Sequence, residues 1–148
     1  MADDHLVVIP TDPTWVPDEI ALRRAVRLVR QLAPGARDVR GTRHDEVVFV
    51  DAGERTEQVE CPACGEELAP AWWSERMDRA ARHGFTRLAV TTPCCRTATS
   101  LDALRYRWPA GFARAEVRVR HPERGALSEE ELARVAGVLG HTVREVRS

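Results

Sequence analysis

Hydrophobic and polar positions along the chain follow two rhythms, one of period two and one near 3.6, and these divide it into elements. The run "HLVVIP" at residues 5–10 predicts a short buried strand. After the turn "TDPTW", Pro17 suits the first position of a helix, with Asp18 and Glu19 in its first turn. Leu22, Val26 and Val29 fall on one face of that helix, Ala25, Leu28 and Leu32 widen it, and Pro34 and Gly35 stop it. The stretch "ARDVRGTRHDEVVFVDAG" predicts two strands around a turn near His44 and Asp45. Near the other end, "ARAEVRVRH" alternates: Ala113, Ala115, Val117 and Val119 point one way, Arg114, Glu116, Arg118 and Arg120 the other. A helix follows. Ser128 is its N-cap, Glu131 completes a capping box, and Leu127 can staple onto Leu132. Its buried stripe is Leu132, Val135, Ala136 and Leu139, Gly140 ends it, and "HTVREV" is a last strand.

The middle is less regular. Pro70 opens a helix, "PAWWSERMDRAARHG", with Trp73, Met77 and Ala80 on one stripe and Gly84 as its stop. "FTRLAVTT" alternates Leu88, Val90 and Thr92 as a strand does, and "SLDALRYRWPAGF" is a helical turn or irregular stretch. With the middle set aside, the order is strand–helix–strand twice. That is the split βαβ of a ferredoxin-like sandwich, an α+β fold with helices on one face of an antiparallel sheet. The expectation is a scaffold of residues 1–53 and 112–148 with a metal-binding module, 54–111, inserted between its halves. In the rival arrangement, the middle strands join the main sheet of one irregular domain.

That module holds all four cysteines of the chain, in "CPACG" (61–65) and "TPCCRT" (92–97). Two residues between Cys61 and Cys64 let a tight turn aim both sulfurs at one ion, with Gly65 free to take the left-handed conformation that closes it. Cys61-Pro-Ala-Cys64-Gly resembles the knuckle of the zinc-ribbon and rubredoxin-like families. The resemblance covers these five residues and implies Cys61 and Cys64 as ligands of a tetrahedral structural zinc. The family's second pair is spaced like the first, whereas here Cys94 and Cys95 are adjacent. Neighbours in a regular strand point to opposite faces, so both reach one ion only if the chain turns sharply, as Pro93 permits. Three arrangements compete: all four cysteines on one zinc, three cysteines with His83, and a redox pair at Cys94 and Cys95. Four buried core cysteines are the bland alternative. His44-Asp45-Glu46 followed by CxxC is similar to the zinc nucleobase deaminases. It departs from them because Glu60, not proline, precedes Cys61 and because the motif leads into a strand.

Composition narrows the functional classes. The net charge is −1, so no overall field recruits nucleic acid or membrane. The N-terminus lacks the basic start of a signal peptide, and four cysteines in a reducing compartment favour metal over disulfides; the expected location is the cytoplasm. All 22 Lys+Arg residues are arginine, and asparagine is also absent, which fits a GC-rich bacterial genome. No nucleophile–base pair, phosphate-cradling glycine loop or carboxylate dyad is visible. The expected function is therefore non-catalytic. It is binding to another macromolecule, a protein before a nucleic acid, in an adaptor, regulatory or immunity role. Trp72 and the outer face of the first helix, Arg23, Arg27 and Arg30 (with Arg24 beside them), are candidate partner contacts. Trp72, Trp73, Tyr106 and Trp108 crowd the metal module in sequence. Two alternatives remain: nucleic-acid binding through the arginine faces, those of Arg114, Arg118 and Arg120 included, and a thiol switch or zinc enzyme using Cys94 and Cys95.

Overall fold

The computed structural model describes residues 4–51, 58–106 and 110–147; Trp108 lies outside them. In chain order the elements are β1 (His5–Pro10), α1 (Glu19–Leu32), β2 (Asp38–Asp51), β3 (Val59–Glu60), α2 (Pro70–Ala81), β4 (Ala89–Thr91) and β5 (Ala98–Ser100). A single 3₁₀ turn (Leu101–Ala103) then leads to β6 (Arg105–Tyr106), β7 (Ala110–Arg120), α3 (Glu129–Leu139) and β8 (Val143–Arg147). The described residues thus combine three α-helices with antiparallel sheets. The main sheet has the order β2-β7-β1-β8, while β3 pairs with β6 and β4 with β5 in separate two-stranded sheets. The middle strands therefore do not join the main sheet.

The two periodicities place the core. Leu6 and Val8 of β1 stand opposite Val119 and Val117 of β7 in register. These four, with Val39, face Leu22, Ala25 and Val29 of α1 and Val135 and Leu139 of α3 in one buried cluster. α1 lies close on β2 because residue 41 is glycine: a Cβ there would stand 2.7 Å from Val26 Cγ2 and 2.9 Å from Leu22 Cγ. A smaller cluster of Val7, Ile9, Val50, Ala113 and Val146 forms separately.

Two expectations are corrected. α1 begins at Glu19, not at Pro17. The Asp18 carboxylate accepts the Ala21 N–H at 2.7 Å, so Asp18 is the N-cap and Pro17 precedes the helix. The two strands expected around His44 are one long strand. Both halves of β2 pair with β7, and the register shifts between Arg43 and Val48. The polar "HDE" thus makes a bulge in a continuous strand, because both flanks find their backbone partners on the same neighbour.

α3 is built as its sequence predicts, with both capping-box bonds present and Gly140 left-handed at φ 102°. Arg124 adds a latch that periodicity does not reveal. Its guanidinium donates to both Glu131 carboxylate oxygens, at 2.9 and 2.7 Å, and to Leu32 O at the end of α1 at 2.6 Å. The hydrogen bonds from Arg124 and the Ser128 backbone hold the Glu131 carboxyl down at about 2, against an ordinary 4.5. A depressed carboxylate contributes its stability above the unfolded value and loses it as pH falls through the folded one. Melting temperature is therefore expected to drop between pH 4.5 and about 2, and Glu131→Gln should flatten that part of the curve in a pH series of thermal melts.

Candidate metal centre

Five residues of sequence build each half of the site, and the two halves are the same turn. In the first, Gly65 N–H donates to Cys61 O at 2.9 Å and Cys61 N–H to Glu66 O at 2.8 Å, with Gly65 at φ 78°. In the second, Arg96 N–H donates to Thr92 O at 3.0 Å and Thr92 N–H to Thr97 O at 3.0 Å, with Arg96 at φ 55°. Cys-Pro-Ala-Cys-Gly thus superposes in pattern on Thr92-Pro93-Cys94-Cys95-Arg96. Cys95 corresponds to Cys64, Thr92 stands where a first cysteine would be, and the missing sulfur comes from Cys94, one step before Cys95.

The four sulfurs converge, all within 4.8 Å of one another. Cys61 and Cys95 Sγ are 3.7 Å apart, Cys64 and Cys94 3.4 Å, Cys94 and Cys95 4.0 Å. A tetrahedron of sulfurs at about 2.3 Å from a central ion has edges of about 3.8 Å, which these separations bracket. No disulfide is formed. His83 is not in the cluster; it lines a groove beside α2. His44, Asp45 and Glu46 lie in β2, and His44 Nε2 is 3.6 Å from Glu116 Oε1, apart from the sulfur cluster.

The thiols compete for protons as a cation site does. The Cys64 N–H aimed at Cys61 lowers that thiol to about 6, outweighing burial. The Glu66 N–H lowers Cys64, but its hydrogen bonds with the other thiols and its burial outweigh that effect and push it up to about 12. Cys95 is lowered, first by the Thr97 hydroxyl and then by Thr92. Some sulfurs are held ready to ionise while the cluster resists further negative charge, and a bound cation resolves that conflict.

Thr92 is the site residue that the spacing of cysteines does not reveal. It is fully buried, accepts the Thr97 N–H at 3.1 Å, and its hydroxyl is 3.5 Å from Cys95 Sγ. The available signal was the repeat of proline and a terminal cysteine at matching positions in "CPACG" and "TPCCR". If the turns are equivalent, sulfur placed at residue 92 should replace that at 94. Cys94→Ala is expected to bind metal weakly, and the double variant Thr92→Cys/Cys94→Ala to regain one ion per chain by native mass spectrometry.

The other candidate residues fall on two surfaces. Arg23, Arg27 and Arg30 line a groove of about 670 Å³ together with Arg40 and Arg43 of β2. Arg118 and Arg120 line a smaller cavity with His5, Asp38 and Arg40, on the side of β7 turned away from Val117 and Val119. The two surfaces meet at Arg40, which lines both. Trp73 is buried and Trp72 half-buried, with the Arg76 guanidinium 5.8 Å above the Trp72 ring.

No family model, no curated protein and no solved structure matches the chain. Among the described residues no helix is long and apolar enough to cross a membrane.

Proposed function

We propose that this is a non-catalytic, zinc-stabilised binding protein of the cytoplasm whose partner is an acidic segment of another protein. The observation that carries the reading is a groove lined by five arginines, one of which, Arg40, is shared with the Arg118 and Arg120 face and paired to Asp38 at 2.8 Å. Arg23, Arg27 and Arg30 come from successive turns of α1, Arg40 and Arg43 from β2, and the floor between them is Leu22, Val26, Val39 and Gly41. Glu19 is, among the described residues, the one acid of that lining, paired to Arg23 at 2.8 Å. Among the described residues β2 pairs with β7 alone, so its other edge offers backbone groups to an extended peptide. Carboxylates of the peptide meet guanidinium forks, and its alternate apolar side chains meet the floor. The groove has, among the described residues, no aromatic side chain on which bases would stack, which favours peptide over single-stranded nucleic acid.

The scaffold reading supports this role. Two helices over a sheet of order β2-β7-β1-β8 correspond to a split βαβ sandwich, with the cysteine module inserted between β2 and β7. Four sulfurs in a tetrahedron suit zinc and leave no coordination position for water or substrate, so the metal serves structure. The test uses a synthetic peptide of alternating Glu and Val. Binding should weaken with salt, and Arg27→Glu/Arg43→Glu should loosen it by roughly tenfold or more, equivalent to about 1.4 kcal/mol per tenfold. An RNA oligonucleotide that binds more tightly than the peptide, and is lost in the same variant, would transfer the groove to nucleic acid.

A further inference from the structure

A second groove, on the cysteine module, carries a chemistry that the peptide site does not explain. It lies between α2 and the β4–β5 hairpin and encloses about 470 Å³. Arg76, Arg79, His83 and Arg87 line it with Thr91 and Thr99, and among the described residues no acid does. Its volume falls within the range of small-molecule pockets.

Its construction is deliberate in the physical sense that it runs against local stability. Arg76, Arg79 and His83 sit three and four positions apart on one face of the α2 segment and its C-terminal turn, where the like charges of Arg76 and Arg79 repel. Arg87 joins them after the left-handed pair Gly84 and Phe85, at φ 61° and 55°, has reversed the chain. Glu75 offers relief to Arg79 alone, through an exposed contact of 3.2 Å that contributes little. Arg76 is steadied over the Trp72 ring, a contact that leaves its guanidinium charge intact. Arg76 and Arg79, about one turn apart on α2, and Arg87, after the chain reversal, reach the groove from two segments, so more than one phosphoryl group can meet a guanidinium. Ala80, Ala89, Val90 and Leu101 supply the uncharged part of the lining.

We infer that this groove binds a small ligand bearing a linear polyphosphate, two or more linked phosphoryl groups, held by the guanidinium forks and the threonine hydroxyls. The inference does not depend on the occupant of the α1–β2 groove. The ligand's source could be a nucleoside polyphosphate or inorganic polyphosphate, and the test separates the two. Isothermal titration of the full chain with tripolyphosphate should give saturable binding at least tenfold tighter than orthophosphate. Arg79→Ala and Arg87→Ala, both at exposed positions, should each weaken it severalfold, whereas Arg27→Glu should leave it unchanged. ATP binding more tightly than tripolyphosphate would assign the nucleotide as the source, and the reverse order would assign inorganic polyphosphate. Failure of tripolyphosphate to bind, binding indifferent to Arg79 and Arg87, or loss through Arg27→Glu would overturn the site. An unstructured DNA oligonucleotide that displaces tripolyphosphate at lower concentration would also overturn it, in favour of a nucleic-acid backbone.

Discussion

Stripped of metal by a chelator, the chain is expected to lose the order of residues 58–106 while the four-stranded sheet survives. The module's secondary structure is slight: β3–β6 and β4–β5 pair over two and three residues, and α2 has 12 residues. Two-stranded ribbons of that size are marginal in water, and so is an isolated helix of that length. Both cysteine turns close on the sulfur cluster, so without an ion the β4–β5 hairpin loses the tie at its tip. Zinc-finger peptides gain roughly 10–16 kcal/mol from their metal at neutral pH. Even a fraction of that is comparable with the whole stability of an ordinary domain, about 5–15 kcal/mol. The purified chain should carry one zinc per molecule by native mass spectrometry. Chelation should lower the melting temperature, reduce the near-ultraviolet signal of Trp73 and Tyr106, and speed hydrogen exchange across 58–68 and 88–101 before it does so in β1 and β7. Cys94→Ser and Cys95→Ser should each reproduce the effect in part. A metal-free chain with an unchanged melt would sink the structural-metal reading, and visible absorbance from bound iron would replace zinc with an electron-transfer ion.

Where side chains repeat with one period and bury on one face, the sequence was readable. α3 announced both its ends through Ser128, Glu131 and Gly140, and α2 announced its stripe through Trp73, Met77 and Ala80, all three buried. β7 alternated as expected from Ala113 to Val119. What failed depended on partners distant in sequence. Whether "HDE" is a turn or a bulge is decided by β7, some seventy positions later, as the Arg114 Nε contact to His44 O at 3.3 Å illustrates. Asp18 outranks Pro17 because a cap bond is geometric, and residue order alone does not display it. The Arg124 latch joins the ends of two helices far apart in the chain.

At the metal centre, the spacing of Cys61 and Cys64 announced a ligand pair, but the adjacency of Cys94 and Cys95 left three arrangements open. The structure brings all four sulfurs together because the second turn copies the first in its backbone bonds, with Thr92 in the place of a sulfur. That substitution hides the repeat from any reading that counts cysteines alone. The arginines of α1 were visible as a face, yet only the fold adds Arg43 to it and makes Arg40 its link to the face of Arg118 and Arg120.

Phe112→Ala is expected to cost about 3–5 kcal/mol, the range for deleting a buried phenylalanine, and to split a single unfolding transition into two. Phe112 is 2% exposed and belongs to β7, yet it packs with the module. Its ring lies 5.2 Å from Phe49 of β2 and 5.5 Å from Phe85 beyond α2. From Phe49 the contacts continue to Trp73 at 5.8 Å and Tyr106 at 5.9 Å. Trp73 Nε1 donates to the Tyr106 hydroxyl at 3.3 Å, and that hydroxyl donates to Leu101 O at 2.7 Å. Burial pushes the Tyr106 phenol up to about 12, so this end of the chain of contacts stays neutral. Sheet and module therefore share one aromatic seam, and cooperativity between them passes through it. Truncating Phe112 removes the link between Phe49 and Phe85 and weakens the seam, whereas Val117→Ala, in the core beneath α1 and α3, should destabilise without splitting the transition. Urea unfolding of metal-loaded protein, followed at once by tryptophan fluorescence and far-ultraviolet dichroism, distinguishes these outcomes. Coincident curves in Phe112→Ala would mean that the module is no insertion but part of one indivisible folding unit.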